Sequence, residues 1–490
     1  MSRPKLFLLI LLFALGLAVR LYRFDQPIAD WHAWRQTDTS AVSKFLVRDG
    51  FDILHPRFYD LSNVPSGIHE NPQGYRFVEF PIYNLLQASF FEIFGVLTIE
   101  EWGRLVTIFS SLSSAIFIYL LVKKYLNDTA GIFAAGFFLF IPYNIFFGRT
   151  VLPDSTTVTT TLCAIYFFDR WLETNSKFKI QNSKLRLESQ AFFILSIVFA
   201  VSSLLLKPFS AFFFIPMLFL SFEKYGLNFL KKKELWLFLI ISITPIALWR
   251  LWMLQYPGGI PQSGWLLNGN NIRFKGAFFQ WIFAERISRM ILGFWGLPLL
   301  ILGILLKLPK KTYLFFTSFL ASSLLYLVVV ATGNVQHDYY QILIMPSIAI
   351  YLGLGAYYLW ENKANINRYV SLTILFVSVV FMLMFGWYNV RAFYNIDHPE
   401  IIRAGKAIDD LIPKDARVLV PASGGDTTAL YFMDRQGWSS FTRPLPELIK
   451  LGADYLIIIN PTKQDYNLGE KYGLIASSPD FVLFNLRQSP

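Results

Sequence analysis

The chain of 490 residues is poor in charge and nearly free of cysteine. Asp, Glu, Lys and Arg make up only 16% of it, against about 25% in a soluble domain. That scarcity argues against a soluble enzyme, and a hydrophobic share of 54% argues against disorder. The single cysteine, Cys163, lies in an apolar run, so no disulfide framework or thiolate zinc site can form within one chain. The five histidines are scattered without metal-ligand spacing. Internal repeats and low-complexity segments are absent.

What the chain has in excess is apolar length and positive charge. The net charge of +11 fits either a nucleic-acid partner or the lysine and arginine bias of cytoplasmic loops. Apolar runs of about 20 residues, the length that crosses a bilayer, recur from Leu6 to Tyr388. Eleven spans are expected, at 5–23, 103–122, 129–147, 155–172, 190–206, 208–222, 235–254, 289–306, 312–331, 339–360 and 369–388. The first follows Arg3 and Lys5 like a signal peptide. It runs on to Tyr22 without a clean small-residue cleavage site, which reads as an uncleaved anchor.

A cytoplasmic N-terminus assigns every loop. The inner loops 123–128, 173–189, 223–234, 307–311 and 361–368 then hold 15 basic and 6 acidic residues. The first outer loop, 24–101, holds 5 basic and 11 acidic. The positive charge is therefore an orientation signal, and no nucleic-acid partner is expected. Two outer segments exceed mere connectors. Within 24–101, Thr39–Val47 fits a short helix and Phe80–Phe94 an interfacial helix on the membrane. Residues 391–490, with 11 basic and 12 acidic, alternate strand-like runs at Arg417–Pro421, Tyr455–Asn460 and Phe481–Leu486 with helical stretches near 399–411, 427–436 and 444–451. The expected fold class is a polytopic α-helical membrane protein, residues 1–390, followed by a small α/β extracytoplasmic domain, 391–490.

Polar clusters gather on the outer side. Directly after the first span come Asp30, Trp31, His32, Trp34, Arg35, Gln36 and Asp38. A carboxylate there can act as general base on an acceptor hydroxyl, and Arg35 can grip a phosphate with two parallel hydrogen bonds. An aromatic belt explains the tryptophans but not the Asp, His, Arg and Gln. Glu79-Phe80-Pro81 precedes the interfacial helix, with Pro81 suited to its first turn and Glu79 to its positive end. In the Gly148–Ser155 turn, Arg149 and Asp154 serve either function or ordinary capping. Lys207 before Pro208 either snorkels or binds a lipid phosphate. His337, Asp338, Tyr339, Tyr340 and Gln341 open the tenth span, where a helix start favours an anion. Ser423–Thr428 in the tail lacks the phosphate-loop pattern and reads as an ordinary turn. Charged groups at mid-membrane, which a pump needs, are hard to find.

These residues resemble the GT-C glycosyltransferases of the protein-mannosyltransferase and aminoarabinose-transferase type. The resemblance spans about 1–390 and rests on the acidic first loop, Glu79-Phe80-Pro81, Arg149…Asp154, Lys207-Pro208 and His337–Tyr340. The run Asp30-x-His32-x-Trp34-Arg35-Gln36-x-Asp38-Thr39 is similar to a bacterial subgroup, and Asp30, Ala33 and Arg35 are spaced as in the dolichyl-phosphoglucose transferases. The resemblance implies transfer of a hexosyl or pentosyl group, with inversion, from a polyprenyl-phosphate sugar to a protein, lipid or glycan acceptor on the outer face of the inner (plasma) membrane. The resemblance implies that the first-loop acid serves as base or orients the acceptor, and Asp30 matches that role best. Asp30 is followed here by Trp31 instead of Glu, so an alternative alignment makes Asp38 the acid. His32, Arg35, Gln36, Glu79, Arg149, Asp154, Lys207, His337, Asp338 and Tyr339 are the expected substrate contacts. Asp154 and Glu79 could alternatively hold a divalent metal, although nothing in the sequence requires one. The competing readings are a flippase or a polymerase of lipid-linked saccharides.

Overall fold

A computed structural model describes residues 2–176, 183–363 and 365–488. The inner loops expected at 173–189 and 361–368 fall in part, at 177–182 and 364, outside the described residues. The chain divides into two compact units. One comprises Met1–Phe24, Arg104–Trp249 and Ser263–Phe393, and the other Asp25–Gly103, Arg250–Gln262 and Tyr394–Pro490.

The first unit is helical. A helix lies on each of the eleven expected spans, and several are broken for identifiable reasons. Residues 129–147 divide into Asp128–Phe140 and Pro142–Phe147, because Pro142 forces Ile141 into extended backbone (φ −60°, ψ 122°). Residues 208–222 begin with the 3₁₀ segment Pro208–Phe214 before the α-helix Ile215–Tyr225. At 289–306 a π-helix, Gln280–Ile291, is separated from Leu297–Leu305 by Gly293 and Phe294, both at positive φ. Among the described residues, six helical stretches are long and apolar enough to cross a membrane: Ile99–Tyr125, Arg186–Leu206, Lys233–Met253, Lys310–Val329, Asp338–Trp360 and Arg368–Leu411. Cys163 is buried with a free thiol.

The second unit joins the first loop to the tail. Five strands, β1 Val418–Leu419, β2 Gly437–Trp438, β3 Tyr455–Ile459, β4 Gly473–Ser477 and β5 Phe481–Asn485, form one sheet in the order β2-β1-β3-β5-β4. The pairs β1/β2 and β1/β3 are parallel, while β3/β5 and β4/β5 are antiparallel. Helices Pro399–Leu411, Thr428–Met433 and Leu445–Lys450 stand close to the expected positions. The two strands without a sequence signal are β2, which is two residues long, and β4, whose Leu474 and Ile475 are exposed. The first loop extends this sheet. Asp60 bridges Gly437 in parallel, the Leu61 amide donates to the Gly437 carbonyl (2.7 Å), and Leu61 enters a core of Leu419, Trp438, Leu456, Val482 and Phe484.

Asp60 is fully buried at this seam. Its Oδ1 accepts from the amides of Ser62 (3.0 Å) and Ser439 (3.4 Å), and its Oδ2 from their hydroxyls (2.9 and 3.1 Å). Burial outweighs these four bonds and pushes its carboxyl up to about 6. A raised carboxyl favours the protonated native state, so its stabilisation is complete below about pH 4 and is lost as pH rises through 6. The loss is about 3 kcal/mol. Asparagine keeps an acceptor at Oδ1 and cannot ionise. The melting temperature of Asp60→Asn relative to the parent should therefore rise by several degrees between pH 4.5 and 7. A constant difference across that range would show that the seam carries no titrating carboxyl.

Candidate active site

The acidic motif opens the helix Ala33–Asp49. His32 is its N-cap in left-handed backbone (φ 60°, ψ 38°), and its carbonyl accepts from the amides of Arg35 (2.9 Å) and Gln36 (3.1 Å). A non-glycine residue held in this conformation costs about 1–3 kcal/mol, so the surrounding contacts fix the turn. The His32 ring meets Trp31 and Trp34 edge-on, with centroids 5.2 and 6.5 Å away. The helix starts six residues before the expected Thr39 because this turn, not hydrophobic periodicity, nucleates it. Arg35 through Ser43 are all buried, polar side chains included, so the amphipathic signal is weak.

Five interactions organise the motif. Gln36 donates from Nε2 to Asp30 Oδ1 (2.5 Å) and to the Trp31 carbonyl (3.1 Å), which aims its amide at a carboxylate only 1% exposed. Arg35 pairs with Glu79. Arg76 donates from Nη2 to Asp38 Oδ2 (2.6 Å), and Thr427 of the tail donates to Asp38 Oδ1 (2.5 Å). Arg35, Asp38, Thr39, Val42, Arg76, Val78, Glu79 and Asn84 line one small pocket of about 10 Å³. The expected role of Pro81 is corrected in detail: it is the N-cap of Ile82–Phe94 and not a first-turn residue. That helix buries Asn84 and Gln87 and exposes Leu86, Phe90, Ile93 and Phe94. Asn84 donates to the Thr39 carbonyl, and Gln87 accepts from Ser43 (2.8 Å). Asn84 and Gln87 face inward and a row of large apolar side chains faces outward, the pattern of a helix lying on lipid.

The helical unit holds the other candidates. Lys207, between Ser183–Leu206 and Pro208–Phe214, pairs with Asp154 at the start of Asp154–Ser176 (2.5 Å). Both are buried, and Asp154 Oδ2 has no hydrogen-bond partner among the described residues. The Lys207 ammonium lies 5.5 Å from the Tyr339 ring and 5.2 Å from that of Tyr340, within cation–π range. His337 caps the 3₁₀ segment Asp338–Ile344, and its ring stacks on Tyr339 and Tyr340 at 5.5 and 5.7 Å. The Asp338 carbonyl accepts from Tyr143 (2.6 Å), and its carboxylate lies 3.7 Å from Arg286. Arg149 is wholly buried and donates to the Arg23 carbonyl (3.0 Å), and Arg20 donates to the carbonyls of Gly16 and Leu139 (2.9 Å each). Gly148 lets these groups approach, since a Cβ there would lie 2.5 Å from the Asn144 carbonyl and 2.7 Å from Arg20 Nε.

Several of these participants escape sequence reasoning. Arg76, Tyr143 and Arg286 belong to no motif, and Thr427 sits in a segment read as an ordinary turn. As for metals, Glu79 and Asp154 are each engaged by a cation, and no group of three His, Cys, Asp or Glu ligands occurs among the described residues.

Residues 78–252 match the family model of dolichyl-phosphate-mannose-protein mannosyltransferases. No curated protein matches the chain by sequence. Among solved structures, apo ArnT from Cupriavidus metallidurans has a TM-score of 0.66 at 13% identity, with 97% of each chain covered. The same protein bound to undecaprenyl phosphate scores 0.65, again at 13% identity and 97% coverage of each chain. The archaeal oligosaccharyltransferase AglB from Archaeoglobus fulgidus, with an inhibitory peptide and a dolichol-phosphate, scores 0.56 at 10% identity, covering 99% of this chain and 75% of its own. The chain thus has the fold of the GT-C glycosyltransferases.

Proposed function

We propose that the protein is an inverting glycosyltransferase of the inner membrane. It takes a hexosyl or pentosyl group from a polyprenyl-phosphate sugar and attaches it to a protein, lipid or glycan acceptor on the outer face. The observation that carries this reading is Asp30, a buried carboxylate held by Gln36 and followed in the same motif by Arg35, in a chain of GT-C fold. The undecaprenyl phosphate on ArnT and the dolichol-phosphate on AglB support the donor class. The proposed topology has eleven spans, a cytoplasmic N-terminus, a membrane module to residue 390 and an extracytoplasmic tail.

In the proposed step, an acceptor hydroxyl attacks the anomeric carbon from the face opposite the carrier. Its proton passes to the Asp30 carboxylate as the new C–O bond forms. The bond to the carrier breaks with its electron pair on the phosphate oxygen. That leaving group is already an anion, so it needs cations and no acid. Arg35 in the loop-and-tail unit, and Lys207 and His337 in the helical unit, are the proposed cations. Glu79 orients Arg35 and Asp154 orients Lys207 through ion pairs, Asp38 and Asp338 hold the neighbouring Arg76 and Arg286, His32 and Gln36 shape the Asp30 turn, and Arg149 and Tyr339 brace the helical side.

Purified protein in nanodiscs, given a panel of radiolabelled undecaprenyl-phosphate sugars and membrane acceptors, should move label onto the acceptor and release undecaprenyl phosphate in equal amount. The product should have inverted anomeric configuration. Label that crosses the bilayer while still bonded to its carrier would replace this reading with a flippase. Undecaprenyl phosphate alone should raise the melting temperature, since a ligand that binds only the native state stabilises it.

A further inference from the structure

The tail reaches the acidic motif through one short segment. Asp426 Oδ1 accepts from the Thr428 amide (2.8 Å) and fixes the turn that aims Thr427 at Asp38. One helical turn on, the Tyr431 hydroxyl meets Ser40 (2.9 Å) and Glu100, and the Lys44 ammonium lies 3.8 Å over the Tyr431 ring. Thr427, Thr428 and Tyr431 are all buried. These contacts fall on two successive turns of Ala33–Asp49, at Asp38–Ser40 and at Lys44. Asp38 is the wall of the pocket that also holds Arg35 and Glu79. Its Oδ2 is committed to Arg76 and its Oδ1 to Thr427, so the carboxylate has one rotamer while both partners are present.

We propose that Thr427 is a positioning residue for the acidic motif: its hydroxyl locks Asp38, which locks Arg76, and so holds the Arg35–Glu79 pocket in its working geometry. The proposal rests on the glycosyltransferase reading above. It assigns the tail a part in the reaction distinct from any recognition of acceptor.

The test compares Thr427→Val, which keeps the shape and removes the hydroxyl, with Thr427→Ser, which keeps the hydroxyl. Sugar transfer from radiolabelled undecaprenyl-phosphate sugars and hydrogen exchange of peptides covering residues 30–40 are measured on full-length protein. Thr427→Val should lower kcat about tenfold or more, with KM for the carrier within twofold, and should speed exchange in 30–40. Thr427→Ser should restore both. Thr427→Val with parental kcat beside an inactive Asp30→Asn would overturn the clamp and leave the glycosyltransferase reading intact. Full transfer by Asp30→Asn would overturn the site assignment instead. If the parent transfers no sugar from the panel, unchanged exchange in Thr427→Val overturns the clamp by itself.

Discussion

Asp30→Asn is expected to lower sugar transfer about 10²- to 10⁴-fold, the range by which a positioned general base accelerates a reaction. Asparagine keeps the acceptor that Gln36 holds but cannot take the acceptor proton. Comparison with Asp38→Asn separates two roles that the sequence leaves open. Asp38 already accepts from Arg76 and Thr427, and both it and Arg76 are largely buried. Neutralising it leaves a guanidinium without its counter-charge, which costs about 3–5 kcal/mol for a buried pair. Asp38→Asn should therefore show as lost thermal stability together with lost activity. Asp30→Asn should show as lost turnover per folded molecule. Transfer assays normalised to monodisperse protein, read beside melting curves, make the distinction. Full transfer by both variants would remove the acidic motif from the mechanism.

The second large effect concerns Lys207. Its ammonium and the Asp154 carboxylate are both buried, at 9% and 0% side-chain exposure. Lys207→Met removes the counter-charge and strands Asp154, again at about 3–5 kcal/mol. The variant should melt well below the parent or fail to accumulate. Adding Asp154→Asn removes the stranded charge, and the double variant should recover most of the lost stability. It should not recover transfer, because the proposed phosphate-holding cation is still missing. Recovery of both stability and transfer would reduce the pair to a structural tie between the two helices.

The legible and illegible parts of this molecule divide along physical lines. Apolar runs of bilayer length are a composition signal, and a helix stands on each of them. Their breaks were partly legible: Pro142 and Pro208 are visible punctuation. Phe294 at positive φ is not, because nothing in its neighbours demands that conformation. Asp30, Arg35, Asp154 and Lys207 stood out because charged residues beside apolar spans are costly and scarce. Their partners did not. Arg76 has no spacing relation to Asp38, and the hydroxyl on Asp38 comes from a residue 389 positions away. The amphipathic period marks only Thr39–Val47 of the helix Ala33–Asp49, because its buried polar side chains blur that period. Asp60 and Leu61 join the sheet and core of the tail across a separation of more than 350 residues, and no local pattern in the sequence signals such a pairing.

That shared sheet has a consequence for how the protein is made. The loop that carries the acidic motif is synthesised early, and Thr427, which locks it, follows Asp38 by 389 residues. At ribosomal rates of 5–20 residues per second, this delay is roughly 20–80 s. Throughout it, the backbone edge at Tyr59–Leu61 lacks Gly437, while Asp38 and Asp60 have only their early partners, Arg76 and Ser62. The Thr427 hydrogen bond to Asp38 therefore forms only after the chain has grown far beyond the motif it fixes.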